Sequence, residues 1–305
     1  MSLDDADLPP WGELDLTQAV EVNNMVERLD LADIYDGVWN APNGSRKVSV
    51  KVIRTDTSIT MAQRVFREIR VWHSLSHPNL YPVLGVHLGF RDFPAIVSPW
   101  CEHGNIVKYL KSRTGDPALD VVRLKLLIDV VHGLEYLHEN GVVHGDIRGM
   151  NVLITDDAVA QLSDMGLYTI IADYEDGIEE MIAARWTAPE QISDDTDSKT
   201  FQSDIWSLGC LFFEAFSGQP PYSNFKSATR GVIATVSRGV GPHEGVDLSE
   251  DGTALVSMCC KFDPNKRATI PDILSRLEFF KSRKAAASEP ANYRLEEHSS
   301  FAVEI

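Results

Sequence analysis

Two aspartates and an asparagine stand in loops around a pair of short apolar runs: Asp146 and Asn151 in "VVHGDIRGMNVLIT", and Asp164 in "LSDMGL". They offer three oxygen ligands or proton acceptors. Hard divalent cations such as Mg²⁺ take carboxylate and amide oxygens, and one or two protein ligands suffice where phosphates supply the rest. A lone Asp or Asn in a loop is most often a turn residue, so the joint arrangement carries the weight. Lys51 is a further candidate. In "VSVKVIR" the period of two puts Val48, Val50 and Val52 on one face and Ser49, Lys51 and Ile53 on the other. A cation there either snorkels to water or meets a carboxylate. Glu68 is the carboxylate at hand, because at helical spacing it falls inside the stripe of Met61, Val65, Ile69 and Trp72. Left unpaired in a core it would cost several kcal/mol.

The elements that must position these groups change character along the chain. "QAVEVN", "ADIYDGVWN", "KVSVKVIR" and "FPAIVSPW" read as strands, with "APNGS" as a hairpin turn and one helix, "ITMAQRVFREIRVWHSL", among them. After "CEHGN" long helical patterns follow: "VVRLKLLIDVVHGLEYLHEN", "SDIWSLGCLFFEAFSG", "SATRGVIATVSRG", "TALVSMCCKF" and "IPDILSRLEFFKSR". Two short strands, "NVLI" and "VAQLS", lie between the first two of these, so Asp146 and Asp164 fall in loops at their ends. This is an α+β pattern, a small sheet lobe with one helix followed by a larger, mainly helical lobe. Residues 285–305 mix Ala, Ser, Glu and Pro without periodicity and are expected to be a mobile tail.

The 305 residues carry 28 Lys+Arg against 45 Asp+Glu, a net charge of -17. That disfavours a surface for nucleic-acid phosphates or anionic membranes. No apolar run reaches the roughly 20 residues of a membrane helix, and the acidic start "MSLDDADLPPW" lacks the features of a secretory signal. Cys101, Cys210, Cys259 and Cys260 sit in apolar contexts without metal-ligand spacing and read as reduced thiols. A cytoplasmic, or else nuclear, location is expected, and nothing calls for an oligomer.

In their order the motifs resemble those of a eukaryotic protein kinase from about Val20 to Arg283, closest to the tyrosine-kinase-like branch of serine/threonine kinases: "VSVK", "FREIRVWHSLSHPNL", "AIVSPWCEHGN", "HGDIRGMN", "DMG", "RWTAPE", "SDIWSLG" and "DPNKRAT". The resemblance implies a bilobal fold: an N-terminal extension over 1–15, a kinase-like domain over 16–284 divided into lobes at about 16–101 and 102–284, and then the tail. It implies ATP and Mg²⁺ as cofactors and a protein hydroxyl, Ser/Thr first, as acceptor. Asp146 would be the proton acceptor, with Arg148 a cation near the transferring phosphate. Asn151 and Asp164 would be magnesium ligands, and Lys51, paired with Glu68, would hold the phosphates. Ser98 would be the gatekeeper and Cys101 the point where backbone meets the base, with Leu29, Ile34, Ser49 and Trp100 completing the nucleotide pocket. Asp204 would be structural, and Arg267 would pair with Glu190.

The match breaks at the glycine-rich loop, where Glu27, Leu29 and Ala32 stand in "VERLDLADIYDG". Glycine lets backbone amides approach phosphate without a Cβ, and Glu27 and Asp30 would bring negative charge there. The alternative is therefore a pseudokinase acting as an interaction scaffold. Gly145 replaces an arginine whose role is regulatory, so dependence on phosphorylation at Tyr168, Thr169 or Tyr174 is expected to be weak. Ala183 removes a hydroxyl ahead of "RWTAPE", and Met165 for phenylalanine keeps apolar volume.

Overall fold

The computed structural model describes residues 11–29, 32–54, 59–90, 94–165, 184–193, 199–223 and 229–288. The expectations for Asp30, Tyr168, Thr169, Tyr174 and Ala183 lie outside them.

Three consecutive strands, β1 (Val20–Arg28), β2 (Ala32–Ala41) and β3 (Gly44–Ile53), form an antiparallel meander. The β2–β3 turn closes at Ala41 opposite Gly44, whose φ of 120° is open only to glycine. Helix α1 (Ile59–Ser74) follows, then β4 (Gly85–His87) and β5 (Ala95–Pro99), giving a sheet of order β1-β2-β3-β5-β4. The alternation read for β3 is realised. Val48, Val50 and Val52 are buried against Val97, Ala95 and Val20, while Ser49 and Lys51 point to the opposite face. On α1, Val65, Ile69 and Trp72 are buried and join the core that continues into the helical lobe.

Beyond the sheet come α2 (Ile106–Ser112), α3 (Leu119–Glu139), the short hairpin of β6 (Val152–Ile154) and β7 (Ala160–Leu162), α4 (Pro189–Ser193), α5 (Phe201–Ser217), α6 (Thr229–Val236), α7 (Glu250–Cys259) and α8 (Ile270–Ser288). Helix α5 is the axis of this lobe. Its residues Trp206, Leu208, Leu211, Phe212 and Phe213 are wholly buried. A Thr200–Ser203 capping box starts it, and Gly218 in the left-handed region (φ 68°) stops it.

Three features differ from the sequence reading. Strand β4 and helix α2 were not expected, because three and seven residues are too short to show a period. The segment before residue 16 belongs to the small lobe from Trp11 onward: Trp11 meets the Phe66 ring on α1 at 4.2 Å, and Leu16 N–H donates to the Val86 carbonyl at 2.8 Å. At the other end, α8 runs to Ser288, so residues 285–288 are helical, as suits the three alanines there. The rest of the tail lies outside the described residues.

Candidate functional site

A cavity of about 370 Å³ opens between the sheet and the helical lobe. Its roof is β1 and β2 through Val26, Leu29 and Ile34, and its back is β3 and β5 through Ser49, Lys51 and Ser98. Trp100, Cys101 and Asn105 form one side, Met150 and Leu153 the floor, and Asp164 the inner end. Leu29, Ile34, Ser49, Lys51, Ser98, Trp100, Cys101 and Asp164 are thus brought together around one space. Burial pushes the Cys101 thiol up to about 11, so it stays protonated near neutrality.

At the inner end Lys51 Nζ lies 2.7 Å from Asp164 Oδ1, both side chains mostly buried. The carboxylate in contact with Lys51 is therefore Asp164, while Glu68 sits half-buried on α1. Strand β3 meets the loop after β7 at this point, and a carboxylate in a partly dry site is best satisfied by the nearest cation. Asp164 itself adopts φ 63°, the left-handed region. Non-glycine residues are held there at a cost of roughly 1–3 kcal/mol, which surrounding structure must offset.

The 144–151 loop is built around Asp146, which is buried. Asn151 Nδ2 donates to Asp146 Oδ2 at 2.7 Å and to its carbonyl at 2.9 Å, and Arg148 Nε lies 3.1 Å from Asp146 Oδ1. With its amide nitrogen so used, the acceptor left on Asn151 is its Oδ1. Asp146 N–H donates to His144 Nδ1 at 3.2 Å. Burial lowers the His144 pKa, which keeps that nitrogen an acceptor.

Supports from the helical lobe fix this loop. Asp204 on α5, 1% exposed, accepts from the backbone N–H of His144 and of Gly145, each at 2.8 Å, and contacts His138 Nε2 at 2.9 Å. Glu214, ten residues on along the same helix, accepts from Gly149 N–H at 2.7 Å and Trp186 Nε1 at 2.9 Å. Lys199 Nζ donates to the Gly145 carbonyl at 2.6 Å. Arg267 grips Glu190 with two bonds of 2.6 Å and also donates to the Gln202 carbonyl, as the sequence pairing anticipates.

Chemically, Asn151 and Asp164 are hard oxygen donors and Lys51 is an adjacent cation. This set suits Mg²⁺ completed by phosphate oxygens. Among the described residues no group of three or more His, Cys, Asp or Glu could cage an ion without such help.

Sequence reasoning missed four residues of the site. Lys108 Nζ on α2 takes Glu27 Oε1 at 2.6 Å across the cavity mouth, so the charge expected to confront a phosphate is held sideways. Lys199 and Glu214 carried no signal, since neither belongs to a motif near the loop it supports. Tyr81 lines the cavity with its hydroxyl 3.1 Å from Ser49 Oγ; a tyrosine after "HPNL" looks like ordinary core.

A family model described as protein tyrosine and serine/threonine kinase matches residues 20–277. The chain is 31% identical over 234 residues to the megakaryocyte-associated tyrosine-protein kinase of Rattus norvegicus, covering 76% of this chain and 48% of that protein. It is likewise 31% identical over 239 residues to cell division control protein 7 of Schizosaccharomyces pombe (77% and 21%). With mitogen-activated protein kinase kinase kinase 5 of Arabidopsis thaliana it shares 30% identity over 213 residues (68% and 29%). The chain thus spans less than half the length of these relatives.

Proposed function

Because this chain belongs to the protein tyrosine and serine/threonine kinase family, we propose that it transfers the γ-phosphate of ATP to a protein hydroxyl, serine or threonine first. The observation that carries this reading is the meeting of Lys51 and Asp164 at the inner end of a nucleotide-sized cavity, with Asp146 and Asn151 joined in the loop below. Asp146 accepts the proton of the attacking hydroxyl, and its hydrogen bond from Asn151 and the Arg148 guanidinium hold it aimed. The likeness of "VSPWCEHGN" and "RWTAPE" to the tyrosine-kinase-like branch of serine/threonine kinases is the reason to name Ser/Thr first. Asn151 and Asp164 would hold Mg²⁺, which when bound neutralises phosphate charge. Lys51 would hold the phosphates, with Glu68 as its partner. Ser98, Trp100 and Cys101 would border the base, with Leu29 and Ile34 above it and Ser49 behind. A cytoplasmic setting fits four free cysteines, and among the described residues no helix is long and apolar enough to cross a membrane.

Replacing Asp146 by Asn is expected to lower phosphate transfer to a peptide by about 10² to 10⁴, measured beside the wild type. Equal rates would refute the assignment. A specific observation favours the second reading, a pseudokinase scaffold: Glu27, Leu29 and Ala32 occupy the phosphate-covering strands, with Leu29 N–H already donating to the Ala32 carbonyl. The two separate on melting temperature. ATP with Mg²⁺ at a hundred times its Kd stabilises a binding site by about 2.7 kcal/mol, whereas a scaffold without nucleotide shows no shift.

A further inference from the structure

The geometry points to Tyr81 as a determinant of which nucleotide base the cavity accepts, an inference that rests on the nucleotide reading above. On the nucleotide reading the base meets backbone in the 99–101 segment, so the supply of backbone donors and acceptors there bears on selectivity. Pro99 has no N–H. Its carbonyl already accepts the Tyr81 hydroxyl. Trp100 N–H is committed to the Lys47 carbonyl at 3.2 Å, and the Cys101 carbonyl accepts from Gly104 N–H at 3.2 Å.

The Tyr81 hydroxyl has one proton, and it goes to Pro99. The 3.1 Å contact with Ser49 must then run from Ser49 Oγ to the tyrosine oxygen, which fixes both protons. Tyr81 lines the cavity together with Ser98 and Trp100, whereas Pro99, between those two in the chain, is not among the described lining residues. The phenol hydroxyl takes up one side of that carbonyl.

A base with an exocyclic amino group needs an acceptor here, and it finds one whose lone pairs are already half engaged. A base with an oxo group at the same position offers no donor, so it gains nothing when the carbonyl is freed. A carbonyl has two lone pairs, so the effect is a weakened preference for 6-aminopurines rather than their exclusion. The loss of one neutral hydrogen bond corresponds to about tenfold in affinity.

Titration calorimetry of the full chain in Mg²⁺ with ATP and with inosine triphosphate, which differ at the purine 6-position, tests this. The wild type sets the reference ratio of the two dissociation constants. Tyr81→Phe, which removes only the hydroxyl, should shift the ratio of dissociation constants about tenfold toward ATP. Tyr81→Val, which also removes the ring, should shift it in the same direction. Measurable binding with an unchanged ratio in both variants overturns the role of Tyr81 and leaves the nucleotide site standing. Failure of all three proteins to bind either nucleotide overturns the nucleotide site, and the inference with it.

Discussion

Asp146 and Glu214 are two buried carboxylates a few residues apart in space, and their environments separate their roles. Asp146 has Arg148 and the Asn151 amide around it. Glu214 lies under Gly149 and Trp186, and burial raises its pKa to about 7 despite the two bonds it accepts. A carboxyl whose folded pKa lies above its unfolded value of 4.5 contributes fully below that value, where both states are protonated. Between about 4.5 and 7 the unfolded state loses its proton first, so stability falls with rising pH, by about 3 kcal/mol once the upper value is passed. Glu214→Gln keeps an acceptor for Gly149 and Trp186 without the charge. Denaturant melts at pH 5 and pH 8 should show the wild type losing stability relative to the Gln variant by an amount of that order. An identical pH dependence for the two proteins would contradict the raised pKa.

At the level of elements, the 144–151 loop is held through both backbone groups of one residue. Gly145 lies at φ 75°, its N–H taken by Asp204 on α5 and its carbonyl by Lys199, just ahead of the Thr200 cap of the same helix. Where a larger side chain at position 145 could add a contact of its own, this chain secures the backbone instead. A charge-assisted bond of this kind contributes roughly 1.5–3 kcal/mol. Lys199→Met is therefore expected to lower kcat about tenfold or more with KM for ATP unchanged, because the loop and not the cavity loses its support. Lys199→Arg should restore most of the rate, and equal losses for both variants would assign Lys199 to folding alone. The Arg267–Glu190 pair works on the same scale, tying α4 to the start of α5 through the Gln202 carbonyl.

Across the whole molecule, a net charge of -17 sets the long-range field in which a substrate arrives. A peptide rich in Lys and Arg should show a lower KM than an acidic peptide with the same acceptor at low ionic strength. Raising salt to 0.5 M shortens the screening length to about 4 Å and should narrow the gap several-fold. A gap that salt leaves unchanged would place the preference in local contacts. The two lobes matter here as well, because the 99–105 segment and the Glu27–Lys108 pair both span from sheet to helices at the cavity mouth.

Much of the architecture was legible because it rests on periodicity. The alternation of Val48, Val50 and Val52, the stripe of Val65, Ile69 and Trp72, and the long apolar helices each follow from local burial, and the order of the motifs marks Asp146, Asn151 and Asp164. Beyond reach were contacts between residues far apart in the chain whose types carry no local pattern: Lys51 on Asp164, Lys108 on Glu27, Lys199 on Gly145, and Tyr81 over Pro99. A hydrogen bond or ion pair depends on atoms placed within a few tenths of an ångström. Period and composition say which face a side chain takes, and the packing of sheet against helices sets which partner it meets there.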